Sequence, residues 1–127
     1  MKTGYSVKIK ETSRPLTARE KLKMTDTSDA AKLDEVTNET GVIVTPIGYC
    51  VLDIHNDKSD NKDYVNYIIE DKDGTKYVTG SDSFWYSFIS IWSVMTESAS
   101  DEEFSIKCYK LDSKNYKGKK FLTCTII

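Results

Sequence analysis

Lys107, Lys110, Lys114, Lys117, Lys119 and Lys120 fall within residues 107–120 against Asp112 alone, a local charge of +5, with Tyr109 and Tyr116 interleaved. Lysines interspersed with rings suit single-stranded nucleic acid. Each ammonium releases condensed counterions from a phosphate, and each exposed ring offers an unstacked base a flat surface worth about 1–3 kcal/mol. Neither interaction reads base identity; the expected partner is single-stranded DNA, with RNA admissible on the same contacts. A second basic segment occupies residues 1–24, where Lys2, Lys8, Lys10, Arg14, Arg19, Lys21 and Lys23 stand against Glu11 and Glu20, again +5. Of these, Lys8, Lys10, Arg14 and Arg19 are candidates to extend a phosphate track. The competing possibility for residues 114–120 is a solvated hairpin tip turned by Gly118.

These two segments change what the overall charge excludes. The 127 residues carry 18 basic and 20 acidic side chains, a net charge of −2 with a pI near 5.4, which taken alone disfavours a polyanion partner. Residues 25–106 hold −12 of that balance. Charge is segregated, and the net value limits where a nucleic acid can lie more than whether one binds.

Catalytic chemistry is poorly supplied. His55 is the only histidine and stands beside Asp53, Asn56 and Asp57, but Asp53 and His55 are two apart in a β-rich run and no nucleophile motif accompanies them. A hydrolase built on Asp53 and His55 would need a metal and further converging carboxylates. Cys50, Cys108 and Cys124 form no C-x-x-C pair, so structural zinc lacks its usual spacing, and buried thiols in a reducing compartment fit better. Asp26, Asp29 and Asp34 do not make a calcium-loop pattern, and no glycine-rich phosphate loop is present. The expectation is a non-enzymatic protein without metal or cofactor. No run approaches the ~20 apolar residues of a membrane span, and no signal pattern follows Met1, so the expected location is cytoplasmic, including the cytoplasm of an infected host.

The elements that must position these residues can be read from periodicity. A chain of this length is one domain's worth, divided here into a basic arm and acidic connector over residues 1–40 and a β-rich domain over 41–127. In the arm, Tyr5, Val7 and Ile9 alternate with polar residues as in a short strand, and Thr17 and Glu20 have capping-box spacing ahead of a helix over 18–24. Residues 26–39 read as a solvated, partly helical link. Strands are predicted over 42–44 with 47–55, over 64–71 and over 76–79, the last two joined by an Asp-Gly turn at Asp73 and Gly74. Ser81 or Ser83 caps a helix through Met95, and residues 104–111 and 120–127 form a second hairpin.

Strand, strand, strand, helix, strand, strand is the element order of the OB-fold, a five-stranded Greek-key barrel. The predicted class is therefore mainly β, an OB-fold-like barrel with one helix and a basic N-terminal arm; small α+β folds of the whirly or PC4-like kind are the alternative. In an OB-fold the ligand lies on the strand 2–3 face between two loops, which here are 56–63, carrying Lys58 and Lys62, and 112–120. Tyr64 and Tyr77 are the candidate stacking rings on those strands. Trp85 and Trp92, seven apart, share a helix face with Phe88 and Ile89; that face reads as core, or as a homo-oligomer contact if exposed, with an edge strand as the other route to self-association.

The runs TSRPLTAREKLKM, YCVLDIHNDKSDNKDYVNYIIEDKDGTKYVTGSDSFWYSFISIW and SKNYKGKKFLTC together resemble small proteins of phages and mobile elements of low-GC Gram-positive bacteria that are uncharacterised or labelled single-stranded DNA-binding. The resemblance implies an OB-like or related β-rich fold, coating of replication or recombination intermediates, and self-association. One departure stands out. Bacterial single-stranded DNA-binding proteins end in an acidic tail tipped by apolar residues, whereas this chain ends FLTCTII, which reads as a strand. A different class of function would use the same features: a phage protein that binds a host defence protein, or sequesters a nucleotide signal, through the basic loop or the Trp85/Trp92 helix.

Overall fold

Apolar residues alternating at period two, punctuated by Asp-Gly and lysine-rich turns, build a mainly β protein with one long helix. The computed structural model describes residues 4–97, 103–113 and 118–127. Among these residues the strands are β1 (Tyr5–Thr12), β2 (Ala31–Lys32), β3 (Val42–Val44), β4 (Pro46–Asn56), β5 (Asp63–Asp71), β6 (Lys76–Thr79), β7 (Ile106–Asp112) and β8 (Lys120–Ile126); the helices are α1 (Ala18–Thr25), α2 (Leu33–Val36) and α3 (Asp82–Glu97). The strands lie in two open sheets, one in the order β1-β4-β5-β6-β2 and one in the order β3-β7-β8. The chain divides into two compact units, Met1–Ala31 with Ile47–Gly80, and Lys32–Pro46 with Ser81–Ile127.

The closed barrel expected of an OB-fold does not form. The strands that would seal it have other neighbours: β6 lies between β5 and the two-residue β2, and Ser83 at the start of α3 donates from Oγ to the Leu122 carbonyl of β8 at 2.8 Å.

In the first unit the basic N-terminal segment is no appendage. Its β1 pairs antiparallel with β4 from Tyr5↔Asn56 to Thr12↔Cys50, with a bulge between Ile9 and Glu11. One face of β4 contributes Cys50, Leu52 and Ile54 to a core shared with Ile68 and with Met24 of α1; Val7, Ile9, Leu16, Tyr64 and Val78 pack around it. Tyr49, Val51, Tyr67 and Ile69, on the opposite side of the same strands, are buried as well. Burial on both faces explains why β4 and β5 read as near-continuous apolar runs.

Charges fasten α1 at both ends. The Thr17 hydroxyl accepts from the Glu20 amide at 3.1 Å and the Glu20 carboxylate accepts from the Thr17 amide at 2.9 Å, satisfying two of the helix's orphan donors. Just before the helix, Arg14 forks onto Glu70 of β5 at 2.6 and 3.3 Å and reaches Glu20 at 3.4 Å. Beyond its last turn, the Lys76 ammonium donates to the carbonyls of Lys23 and Asp26 at 2.7 and 3.0 Å and pairs with Asp29 at 3.0 Å. Gly48 makes room for the first of these clasps: a Cβ there would sit 2.5 Å from Arg14 Nη1 and 2.6 Å from Glu70 Oε1.

The second unit packs α3 against its three-stranded sheet. Phe84 and Phe88 are fully buried, and Val44, Ile106, Cys108, Leu122 and Cys124 are buried on the inner face. Ser81 caps the helix by accepting from the Phe84 amide at 3.2 Å. Rings follow one another along it: Phe84 to Phe88 at 5.9 Å, Trp85 to Phe88 at 5.5 Å, Phe88 to Trp92 at 5.9 Å, and Trp92 to Phe104 at 6.0 Å. The link over 26–39 is more than a solvated connector. It contains α2, whose Leu33 is fully buried, and the Thr37 hydroxyl donates to the Leu33 carbonyl at 2.7 Å.

Two outcomes follow for stability and reactivity. Thr17→Ala removes half of the capping box and lowers stability by about 1 kcal/mol, read as a lower urea midpoint at unchanged m-value. Burial pushes the Cys50 thiol up to about 11 and the Cys124 thiol up to about 12. The native protein should therefore react slowly with a disulfide reagent at pH 8, and denaturant should release all three thiols.

Candidate nucleic-acid interface

The β7–β8 hairpin carries Lys107, Lys110 and Lys120 of the predicted site. Its strands pair from Ile106↔Ile126 to Asp112↔Lys120, and β3 joins on the other edge of β7 with Ile43 opposite Lys107. Because successive side chains point to opposite faces, burying Ile106, Cys108, Leu122 and Cys124 turns Lys107, Tyr109 and Leu111 of β7 outward. Phe121, Thr123 and Thr125 of β8 turn the same way, as does Ile43 of β3. Lys107, Leu111, Phe121, Thr125 and Ile43 are exposed, and Tyr109 and Thr123 are half-buried. The Lys107 ammonium lies 5.9 Å from the centre of the Tyr109 ring.

Lys119 and Lys120 are exposed where β8 begins, after Gly118 with its positive φ of 82°. The Ser113 amide donates to the Lys119 carbonyl at 2.8 Å and closes the base of the loop. Lys114, Tyr116 and Lys117 of the same predicted site lie outside the described residues. Lys110 is diverted: its ammonium donates to the Asp34 carbonyl at 2.6 Å and to Asn38 Oδ1 at 2.5 Å, so it fastens the α2 segment.

The remaining candidates sit in the first unit. Lys8 and Lys10 are exposed on β1, Arg19 on α1, and Lys58 and Lys62 on the β4–β5 loop. Arg14 does not present its guanidinium to solvent as an open phosphate contact, because Glu70 and Glu20 occupy its donors. A cleft of about 440 Å³ beside α1 has Arg14, Glu20, Glu70, Asp29 and Lys76 in its walls, all committed to the ion pairs described above. Tyr64 and Tyr77 do not act together on one face. Tyr77 stands opposite Ile69, whereas Tyr64 has the parity of Ile68 and packs on the Cys50/Leu52 core. Trp85 and Trp92 are half-buried against Phe88 and Phe104, and Tyr86 and Val94 are the large side chains that α3 leaves outward.

His55 has a definite arrangement of its own. Nδ1 donates to Asp63 Oδ1 at 2.7 Å and Nε2 to Asp57 Oδ1 at 2.8 Å, an arrangement that only the doubly protonated ring satisfies. The Asp57 amide in turn donates to the Gly4 carbonyl at 2.7 Å. Asp53 lies opposite Lys8 across β1 and β4, and both line an open cleft of about 390 Å³ with His55 and Tyr64. Among the described residues no group of three or more His, Cys, Asp or Glu has the geometry to hold a metal ion. No described helix is long and apolar enough to cross a membrane.

Hydrogen bonding to Asp63, and then to Asp57, raises the His55 pKa above its ordinary 6.5. A group whose folded pKa lies above its unfolded value stabilises the fold fully below the unfolded value. That contribution is lost as pH rises through the folded one. Ring-proton NMR should place the His55 midpoint above 6.5, with Asp63→Asn and Asp57→Asn each lowering it; a wild-type midpoint at or below the unfolded value refutes the double clasp.

The residues missed at the sequence level are Ile43, Leu111 and Phe121, whose outward placement depends on strand register. The signal lies in the alternation of KCYKL with FLTCT, in which Cys108 and Cys124 are inward partners. Comparison of the chain with protein-family models, curated proteins and solved structures gives no match.

Proposed function

We propose that this protein binds single-stranded nucleic acid without catalysing a reaction, with the DNA of replication or recombination intermediates in a phage or mobile element as the preferred ligand. The observation that carries the proposal is the hairpin itself, which holds Lys107 exposed on its outward face and Lys119 and Lys120 exposed at the end where β8 begins. Segregated charge supports it, because the acidic body leaves cations concentrated where a phosphate chain would track. Connectivity supports an OB-like origin for the fold: β3 and β4, with only Thr45 between them, feed the two sheets in turn, as the long first strand of a Greek-key barrel does.

Titration of a fluorescent oligothymidylate at several salt concentrations tests the proposal. Neutralising about three phosphates gives a log–log slope near −2 for a single strand, and Lys119→Ala with Lys120→Ala flattens it by about 1. A duplex of equal length should bind more weakly. A dissociation constant weaker than ~100 μM at low salt overturns the proposal, since electrostatic contact alone reaches that range. Tight but salt-insensitive binding to a protein or nucleotide would instead favour capture of a host partner.

A further inference from the structure

We infer that the outward face of the β3-β7-β8 sheet is a base-stacking platform for a short run of single-stranded nucleic acid, with Tyr109 and Phe121 as its two rings. The inference rests on the proposed function and assigns its contact surface.

Register places the rings. Tyr109 stands opposite Thr123 and Phe121 opposite Leu111, so the two aromatics are diagonal neighbours across one strand pair, a relation that separates positions by about 7–8 Å. Both share the face turned away from the buried Cys108, Leu122 and Cys124. Beside them Thr125 is exposed, while Thr123, opposite Tyr109, shares a hydrogen bond with the Ser87 hydroxyl of α3 at 3.0 Å, so α3 borders the face at Thr123 and the ring of Phe121 is the more open of the two.

The surface is unusual in its exposure and its charge. Ile43 is 53%, Leu111 44% and Phe121 38% exposed on three adjacent strands, an apolar face of the kind that marks an interaction site. Its outward strand positions, Ile43, Lys107, Tyr109, Leu111, Phe121, Thr123 and Thr125, include one charge, and that charge is positive. An apolar face whose outward strand positions carry no carboxylate, with a cation beside one ring and Lys119 and Lys120 at the end where Lys120 faces Asp112, is complementary to a chain of phosphates bearing flat apolar bases. Rings would take the bases, Lys107 would meet a phosphate flanking the Tyr109 base on the side away from Phe121, and the lysines at the other end would carry the strand onward.

Oligothymidylate affinity, measured by anisotropy, separates this inference from the proposed function. Phe121→Leu and Tyr109→Leu keep apolar bulk but remove the ring, and each should weaken binding on the order of tenfold with the salt slope unchanged. Tyr109→Phe should bind as the wild type does, and Lys107→Ala should flatten the slope. Circular dichroism and urea midpoints near wild type establish that the variants fold. Should a leucine variant not fold, photo-crosslinking of an iodouracil oligonucleotide to the wild-type chain should label the peptides holding Tyr109 or Phe121. If the wild type binds but the leucine variants bind equally well, or crosslinks fall only elsewhere, the platform is refuted and the proposed function stands. If the wild type does not bind, both fall. A leucine variant that converts a dimer to a monomer without losing affinity makes this face a contact between copies and also overturns the platform.

Discussion

A two-residue repeat leaves the β7–β8 hairpin no freedom to slip. Moving either strand by one residue would drive Lys107, Thr123 and Thr125 into the space now filled by Cys108, Leu122 and Cys124 beneath α3. The penalty is the desolvation of an unpaired ammonium together with the loss of the packing around Phe84 and Phe88. Register is therefore fixed from the buried side. Everything on the open side, including which ring neighbours which and where the cations lie, is inherited from it.

The first unit is held by a different kind of constraint. Its β4 and β5 are buried on both faces, yet α1 contributes Met24 as its one buried side chain and leaves Leu22 largely exposed. Thin apolar contact is supplemented by directed charge: Arg14 and Lys76 each fasten one end of the segment to the sheet. Cations used in this way already have partners within the fold. The same holds in the second unit for Lys110, whose ammonium closes onto Asp34 and Asn38. A count of lysines and arginines thus overstates the attractive surface, since three of them are structural fasteners.

Much of the architecture was legible before any coordinates. Gly74 marked the β5–β6 turn, the phenylalanine and tryptophan spacing marked α3, the Thr17–Glu20 pair marked the start of α1, and Tyr5, Val7 and Ile9 marked β1. What remained hidden depended on partners distant in sequence. Arg14 looks like a free cation until Glu70, 56 positions on, is known to sit beneath it. Leu33, in a polar stretch whose other large apolar residue is Val36, gives no periodic signal, although it is fully buried. Barrel closure is decided by which edges other elements occupy, and the Ser83 hydroxyl on the Leu122 carbonyl cannot be read from local pattern. The opposite facing of Tyr64 and Tyr77 was hidden for a related reason: parity within β5 is visible in the sequence, but the register of β6 against it is not.

Gly48 shows how such a fastener shapes what the sequence can become. Because the Arg14–Glu70 pair lies directly on the bare backbone of β4, any side chain at position 48 collides with the ends of both partners. Those ends are flexible, so the collision is relieved by parting the pair, not by deforming the strand. Positions 14, 48 and 70 consequently form a single unit of permissible change. A side chain becomes acceptable at 48 once 70 has shortened, whereas filling 48 first, or shortening 14 first, passes through an intermediate in which Glu70 is an unpaired, half-buried carboxylate. Drift across these three positions is therefore expected to be correlated and directional.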